Sequence, residues 1–127
     1  MYEAIFEKIK KLLEFDDVEK EVISISNKIL KLTELHGKIV RKKLEVEMEF
    51  NKKRAELYQD IKINNPVELK KGEIELVIWE DDDLRKLYAK LKELQELEFI
   101  ISVAIKEFER RGYALNNIYK KEFGLQV

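Results

Sequence analysis

The chain has 127 residues, with 25 lysines and arginines against 26 aspartates and glutamates, four glycines, one proline, one histidine and no cysteine. Charged residues make up 40% and apolar ones 45%, a balance that selects long helices over sandwiches, barrels or low-complexity coil. The absence of cysteine excludes disulfide scaffolds, cysteine zinc sites and thiol nucleophiles, and fits a reducing compartment; the formal net charge of -1 means that any nucleic-acid affinity must come from local patches.

Tyr2 to about Phe15 places Ile5, Ile9, Leu12 and Leu13 on one face, with Lys8, Lys10 and Lys11 away from it, the pattern of a short amphipathic helix. Asp16 and Asp17 read as a break with a new N-cap, since Glu19 and Glu21 follow in the turn where the helix dipole favours acids. From Val18 the seam positions then alternate by four and three: Val18, Val22, Ile25, Ile29, Leu32, His36, Ile39, Lys43, Val46, Phe50, Lys53 and Leu57. This is a coiled-coil-like seam running close to Ile61, with His36, Lys43 and Lys53 as its polar exceptions. A helix of that length cannot bury such a stripe alone, so it calls for partner helices from its own chain or from other copies, and homo-oligomerisation is the economical answer.

Asn64-Asn65-Pro66 predicts the end of that helix, because the residue before proline is pushed out of the α region and proline donates no amide hydrogen. Glu73 to Trp79 then alternates partly with period two and reads as a short extended segment, pairing between subunits or remaining irregular. Glu80 to Asp83 opens the next helix with an aspartate as N-cap. Leu84, Leu87, Leu91, Leu94, Ile101, Ile105 and Phe108 form its stripe, and Leu97, Phe99, Ile100 and Val103 make its second half apolar on nearly all sides, hence buried. Arg110-Arg111-Gly112 reads as the C-terminus of that helix, with glycine as a left-handed cap, before a short last helix from Tyr113 to Phe123 whose Leu115, Ile118 and Tyr119 pack back. The expected fold is therefore all-α, a single oligomerising domain: residues 1–63 form N-terminal helices with a basic patch, 64–83 a linker with a short extended segment, and 84–127 the C-terminal helices. No apolar run reaches the length of a membrane span, and Glu3 and Glu7 stand where a secretory signal has a basic region, so neither membrane insertion nor export is expected.

Several features invite chemistry. The acids Glu80, Asp81, Asp82 and Asp83 read as helix-start residues; they lack the spacing and bidentate glutamate of a calcium loop, and a metal-dependent nuclease built on this one segment is the remote alternative. His36 reads as a register-setting polar residue in the seam, and Trp79 either as core or interface or as a stacking platform for a base. No glycine-rich phosphate loop, nucleophile elbow or metalloprotease helix is present, so no enzyme and no cofactor are expected. The informative feature is basic: Lys38, Arg41, Lys42 and Lys43, then Lys52, Lys53 and Arg54, with Tyr58 one turn on. Read plainly, these are a solvated face balanced by Glu45, Glu47 and Glu49. Read functionally, clustered cations plus an aromatic supply phosphate neutralisation and base stacking, the two parts of sequence-tolerant single-strand binding, multiplied in an oligomer.

The order of these features resembles the UvsY family of recombination mediators of T-even-type bacteriophages over essentially the whole chain. The closest stretch, Ala104-Ile105-Lys106-Glu107-Phe108-Glu109-Arg110-Arg111-Gly112-Tyr113-Ala114-Leu115-Asn116-Asn117-Ile118, follows the family's Ala-Leu-Asp-Ala-Ile-Lys-Ser-Arg-Gly-Phe-Ala-Ile-Lys-His-Ile. A second, His36 to Glu47, keeps a histidine, an isoleucine three residues on, basic residues, a leucine and a Val-Glu where the family has Ile-Glu. The family's DNA-linked motif Lys-Ala-Arg-Leu-Asp-Tyr-Tyr has its counterpart in Lys53-Arg54-Ala55-Glu56-Leu57-Tyr58, with the residue types in another order. The resemblance implies a ring-like hexamer or heptamer in the cytoplasm of an infected bacterial host, acting in DNA recombination, repair and replication. It would bind single-stranded DNA, weaken the hold of the phage single-strand-binding protein and help a UvsX-like recombinase to nucleate. The expected DNA contacts are Lys52, Lys53 and Arg54 at phosphates and Tyr58 as a stacker, with Arg41, Lys42 and Lys43 behind them. The competing expectation is a structural coiled-coil scaffold or assembly chaperone whose charges only solvate its helices.

Overall fold

Helices account for all the regular structure among the described residues, which in the computed structural model are 2–14, 17–64 and 68–122. They are α1 (Tyr2–Leu13), α2 (Val18–Asn64), α3 (Lys71–Ile78) and α4 (Asp82–Glu122). The chain packs as two units, each containing part of both long helices: Met1–Ile39 with Glu96–Val127, and Val40–Gln95.

In the first unit the seam of α2 is buried where the periodicity places it. Ile25, Leu32 and Ile39 recur every seventh residue and lie inside with Ile9 of α1 and with Leu97, Ile101, Ala104, Phe108 and Leu115 of α4. Ile29 and His36 alternate with them and are half-buried. His36 holds register across the pair of helices: its Nε2 lies 3.3 Å from the Ser102 hydroxyl. Asp17 caps α2, its carboxylate accepting from the Lys20 amide at 3.0 Å, so α1 and α2 are separate helices as the acidic pair predicts. Asp16 lies outside the described residues.

One acid is fully enclosed. Glu21, only 1% exposed, accepts from Lys28 Nζ at 2.6 Å and from Arg111 Nη1 at 3.1 Å. The same two cations reach the end of α1, Lys28 donating to the Glu14 carbonyl at 3.2 Å and Arg111 to the Leu13 carbonyl at 3.1 Å. Helix ends leave carbonyls without internal partners, and here those carbonyls are satisfied from α2 and α4. Both cations also stand over the Phe108 ring, at 5.7 and 5.0 Å from its centroid.

The second unit is organised on Phe50, Ile74, Ile78 and Leu84, with Leu57, Tyr58, Ile61, Leu69, Trp79 and Leu87 packed around them. The predicted extended segment is corrected here: Glu73 to Ile78 belongs to helix α3, and Trp79 closes it in the right-handed region. The residues Ile74, Leu76 and Ile78 satisfy a period of two, but Ile74 and Ile78 also satisfy a period of four. A lone strand would leave its backbone groups unpaired, whereas a helix satisfies them internally and buries both isoleucines while Leu76 stays outside. Asp81 then caps α4, its carboxylate accepting from the Leu84 amide at 2.9 Å, and Arg85 Nε donates to the Trp79 carbonyl at 2.6 Å, closing the turn between α3 and α4. The acidic run thus takes its helix-start role. α2 ends at Asn64; Asn65 and Pro66 lie outside the described residues.

Two further expectations fail within α4. Gly112 is no left-handed cap, and no separate helix starts at Tyr113, because α4 continues without interruption to Glu122. Gly112 lies against α2, where an added Cβ would make an ordinary contact with Ile25 Cδ1 at 3.6 Å. Nor is the apolar stretch buried all round, since Phe99 is 68% exposed and Val103 49%, with Ile100 and Ile105 half-buried. A helix against a single layer of neighbours buries one stripe, and the extra apolar residues face outward. Ile118, expected to pack back, is exposed as well.

Gly37 sits mid-helix in α2 with open space where a Cβ would stand. Alanine loses less backbone entropy there, so Gly37→Ala should raise stability by about 1 kcal/mol in chemical denaturation; a destabilised variant would mean that the position is covered.

Candidate nucleic-acid interface

The two basic triplets of α2 repeat at an interval of eleven residues. That interval is close to three helical turns, so Arg41 and Lys52, Lys42 and Lys53, and Lys43 and Arg54 fall on three columns set about 100° apart around the helix, each about 16 Å long. The columns differ in environment. Arg41 and Lys52 are exposed, with the exposed Met48 between them. Lys42 is paired with Glu45 at 3.6 Å on the surface, and Lys53 is half-buried. Lys43 and Arg54 turn toward the packed side and are half-buried too.

Arg54 has a defined task. Its Nη2 donates to Glu75 of α3 at 2.6 Å, a bridge between α2 and α3. Tyr58 packs against the cluster of Phe50, Ile74, Ile78 and Leu84, which anchors one side of its ring. Both residues nevertheless line one open cleft of about 370 Å³ between α2 and α3, together with Asn51, Gln59, Lys71 and Glu75. The structure therefore brings Arg54 and Tyr58 together as the sequence suggests, adds Lys71 from α3, and leaves Arg41 and Lys52 on an outward column. Lys71 was not legible in the sequence, because it joins the cleft only once the residues after it form a helix. The amides of Asn51 and Gln59 were equally hidden, although each is one or a few residues from the basic run.

Trp79 is part of the packing and is half-buried. Its ring lies 5.9 Å from Phe50 and 5.1 Å from Tyr88, edge to face with the latter, and Lys92 Nζ stands 5.2 Å from the Tyr88 centroid. These tilted and edge-to-face contacts make Trp79 part of the aromatic packing of the second unit.

Chemically, the cleft offers two cations and one carboxylate, two side-chain amides and the edge of a phenol. Such a set can hold a phosphate and hydrogen-bond a base. Comparison with family models, with curated proteins and with solved structures finds no match to this chain.

The Arg54–Glu75 bridge is partly exposed, so a double-mutant cycle on Arg54→Ala and Glu75→Ala should give a coupling of about 0.5–1 kcal/mol. Unfolding read through the single tryptophan of the chain, which lies in the same unit, is the measurement; zero coupling would make the bridge incidental.

Proposed function

We propose that this chain is a non-enzymatic, single-strand DNA-binding recombination mediator of the UvsY kind. The observation that carries the reading is the meeting of Arg54, Tyr58 and Lys71 around one cleft, beside a column on which Arg41 and Lys52 are open to solvent. Cations that track a backbone and an aromatic that meets a base are the parts of sequence-tolerant strand binding. In this reading Arg41 and Lys52 neutralise phosphates, Lys42, Lys43 and Lys53 lie behind them, and Arg54 and Tyr58 shape the cleft more than they supply charge.

The reading includes a homo-oligomer, a ring of six or seven copies, which multiplies one modest site into a strongly binding surface. What supports association is apolar surface left outside. In the first unit Phe99, Val103, Ile23 and Leu30 are exposed; in the second Leu44, Met48 and Leu76 are. Phe99 with Val103, and Leu44 with Met48, stand one turn apart on one helix face, and contiguous exposed apolar side chains mark association surfaces. The reading also assigns the stop of α2 at Asn64 to the Asn65-Pro66 pair that follows in the sequence. A strand bent around such an assembly would hold the phage single-strand-binding protein less well and offer a segment to a UvsX-like recombinase.

The same apolar surfaces favour a second reading, a helical scaffold or assembly chaperone without DNA affinity. Among the described residues no helix is long and apolar enough to cross a membrane.

Anisotropy of a labelled single-stranded oligonucleotide, against a matched duplex, separates the two. The mediator reading expects preferential binding to the single strand, with Arg41→Glu combined with Lys52→Glu lowering affinity roughly tenfold or more and flattening the salt dependence by about two charges. Assembly should be unchanged. Binding that the double reversal leaves intact would overturn the site, and absence of binding at low salt would select the scaffold.

A further inference from the structure

A second basic surface lies in the first unit and shares no residue with the cleft between α2 and α3. Lys8 and Lys11 of α1 and Lys28, Lys31 and Lys38 of α2 line one groove of about 540 Å³. Its apolar wall is formed by Leu12, Leu32 and Leu35, and only Glu14 and Glu34 bring opposite charge. The trough continues along α1 as a second hollow of about 400 Å³ that shares Lys8, Lys11 and Leu35.

The lysines are not equivalent. Lys28 is already neutralised by Glu21 at 2.6 Å. Lys8, Lys11, Lys31 and Lys38 are exposed and make no ion pair among the described residues. Four ammonium groups without an ion pair outnumber Glu14 and Glu34 around one concavity, and a bound anion lowers their mutual repulsion.

The donor chemistry suits phosphate. Lysine is a compact point charge that phosphate oxygens can meet from several sides and is a regular phosphate binder, although the arginine fork pairs with carboxylate and phosphate alike. The groove has five lysines and no arginine. Its volume falls in the range of sites for drug-sized molecules, and its leucines offer contact area to a flat, weakly polar body. A phosphate joined to such a body is a nucleotide.

We propose that the groove between α1 and α2 binds nucleotide phosphates through Lys8, Lys11, Lys31 and Lys38, with the base or sugar against Leu12 and Leu35. The phosphates come from free nucleotide or from a single strand crossing the groove. The proposal uses no residue of the α2–α3 cleft and does not rest on the mediator reading.

The test titrates the full chain with two probes, a labelled adenosine triphosphate and a short labelled oligothymidylate, with inorganic triphosphate and polyglutamate as competitors. The main variant is Lys31→Gln with Lys38→Gln, both exposed on α2, so that α1 is untouched; Lys8→Gln with Lys11→Gln is the second, and circular dichroism checks helicity in each. Saturable binding of at least one probe, weakened roughly tenfold or more by either pair, is expected, with inorganic triphosphate competing and polyglutamate not. Lys86→Gln with Lys90→Gln, exposed lysines of α4 that line neither site, should leave binding of the free triphosphate unchanged. Binding of the triphosphate assigns a free nucleotide, and binding of oligothymidylate alone assigns a strand. No binding of either probe, binding that both lysine pairs leave intact, or displacement by polyglutamate would overturn the proposal. Oligothymidylate binding lost only in the Arg41 and Lys52 variant would support the mediator site while overturning this one.

Discussion

The carboxylate of Glu21 is the constraint on which the first unit is built. An acid that is 1% exposed is costly to bury alone, and it is tolerated because Lys28 and Arg111 both reach it. Those cations come from α2 and α4, and each also satisfies a carbonyl at the end of α1. Removing the acid would leave two cations largely enclosed beside Phe108 without their shared partner, and the short helix α1 would lose the partners that fix its C-terminal end. α1 is only 12 residues long and cannot stand alone in water. Its position, and with it one wall of the lysine groove, therefore follows from a charge that the composition of the chain would not single out.

Electrostatics divides the cations into those that hold the fold and those that remain for a ligand. Lys28, Arg54, Arg85 and Arg111 are committed to Glu21, Glu75 or helix-end carbonyls. Lys8, Lys11, Lys31 and Lys38 in one unit, and Arg41 and Lys52 in the other, are exposed. A nearly neutral chain can in this way present two positive surfaces, because a share of its acids is spent inward or along the helices. Affinity for phosphates at either surface would then fall with salt in proportion to the lysines and arginines engaged.

Much of this architecture is legible in the sequence, for identifiable reasons. The four-three alternation of α2 is long enough that Ile25, Leu32, Ile39, Val46 and Phe50 are found inside where the period places them, and the aspartate caps at Asp17 and Asp81 follow from local hydrogen bonding alone. Period fails where a segment is short: six residues from Glu73 to Ile78 fit a strand and a helix equally, and tertiary burial of Ile74 and Ile78 decides. Glycine fails as a stop signal at Gly112, where the backbone stays helical through to Glu122. The basic run was readable as a candidate, but which of its members are free to meet a ligand depended on Glu75 and Lys71, far away in sequence. The groove of α1 and α2 has no signature in the sequence, since Lys8 and Lys11 have the spacing of the solvated face of a short helix until α2 is laid beside them.

The claim that Glu21 secures α1 is tested most directly by hydrogen exchange on Glu21→Gln, a change of charge with little change of shape. Losing a buried charge partner costs about 3 kcal/mol, which corresponds to roughly a hundredfold faster exchange at the amides it protects. The account predicts that acceleration across α1 and around Arg111, with α3 protected as in the unaltered chain. Protection of α1 that survives the substitution would contradict it.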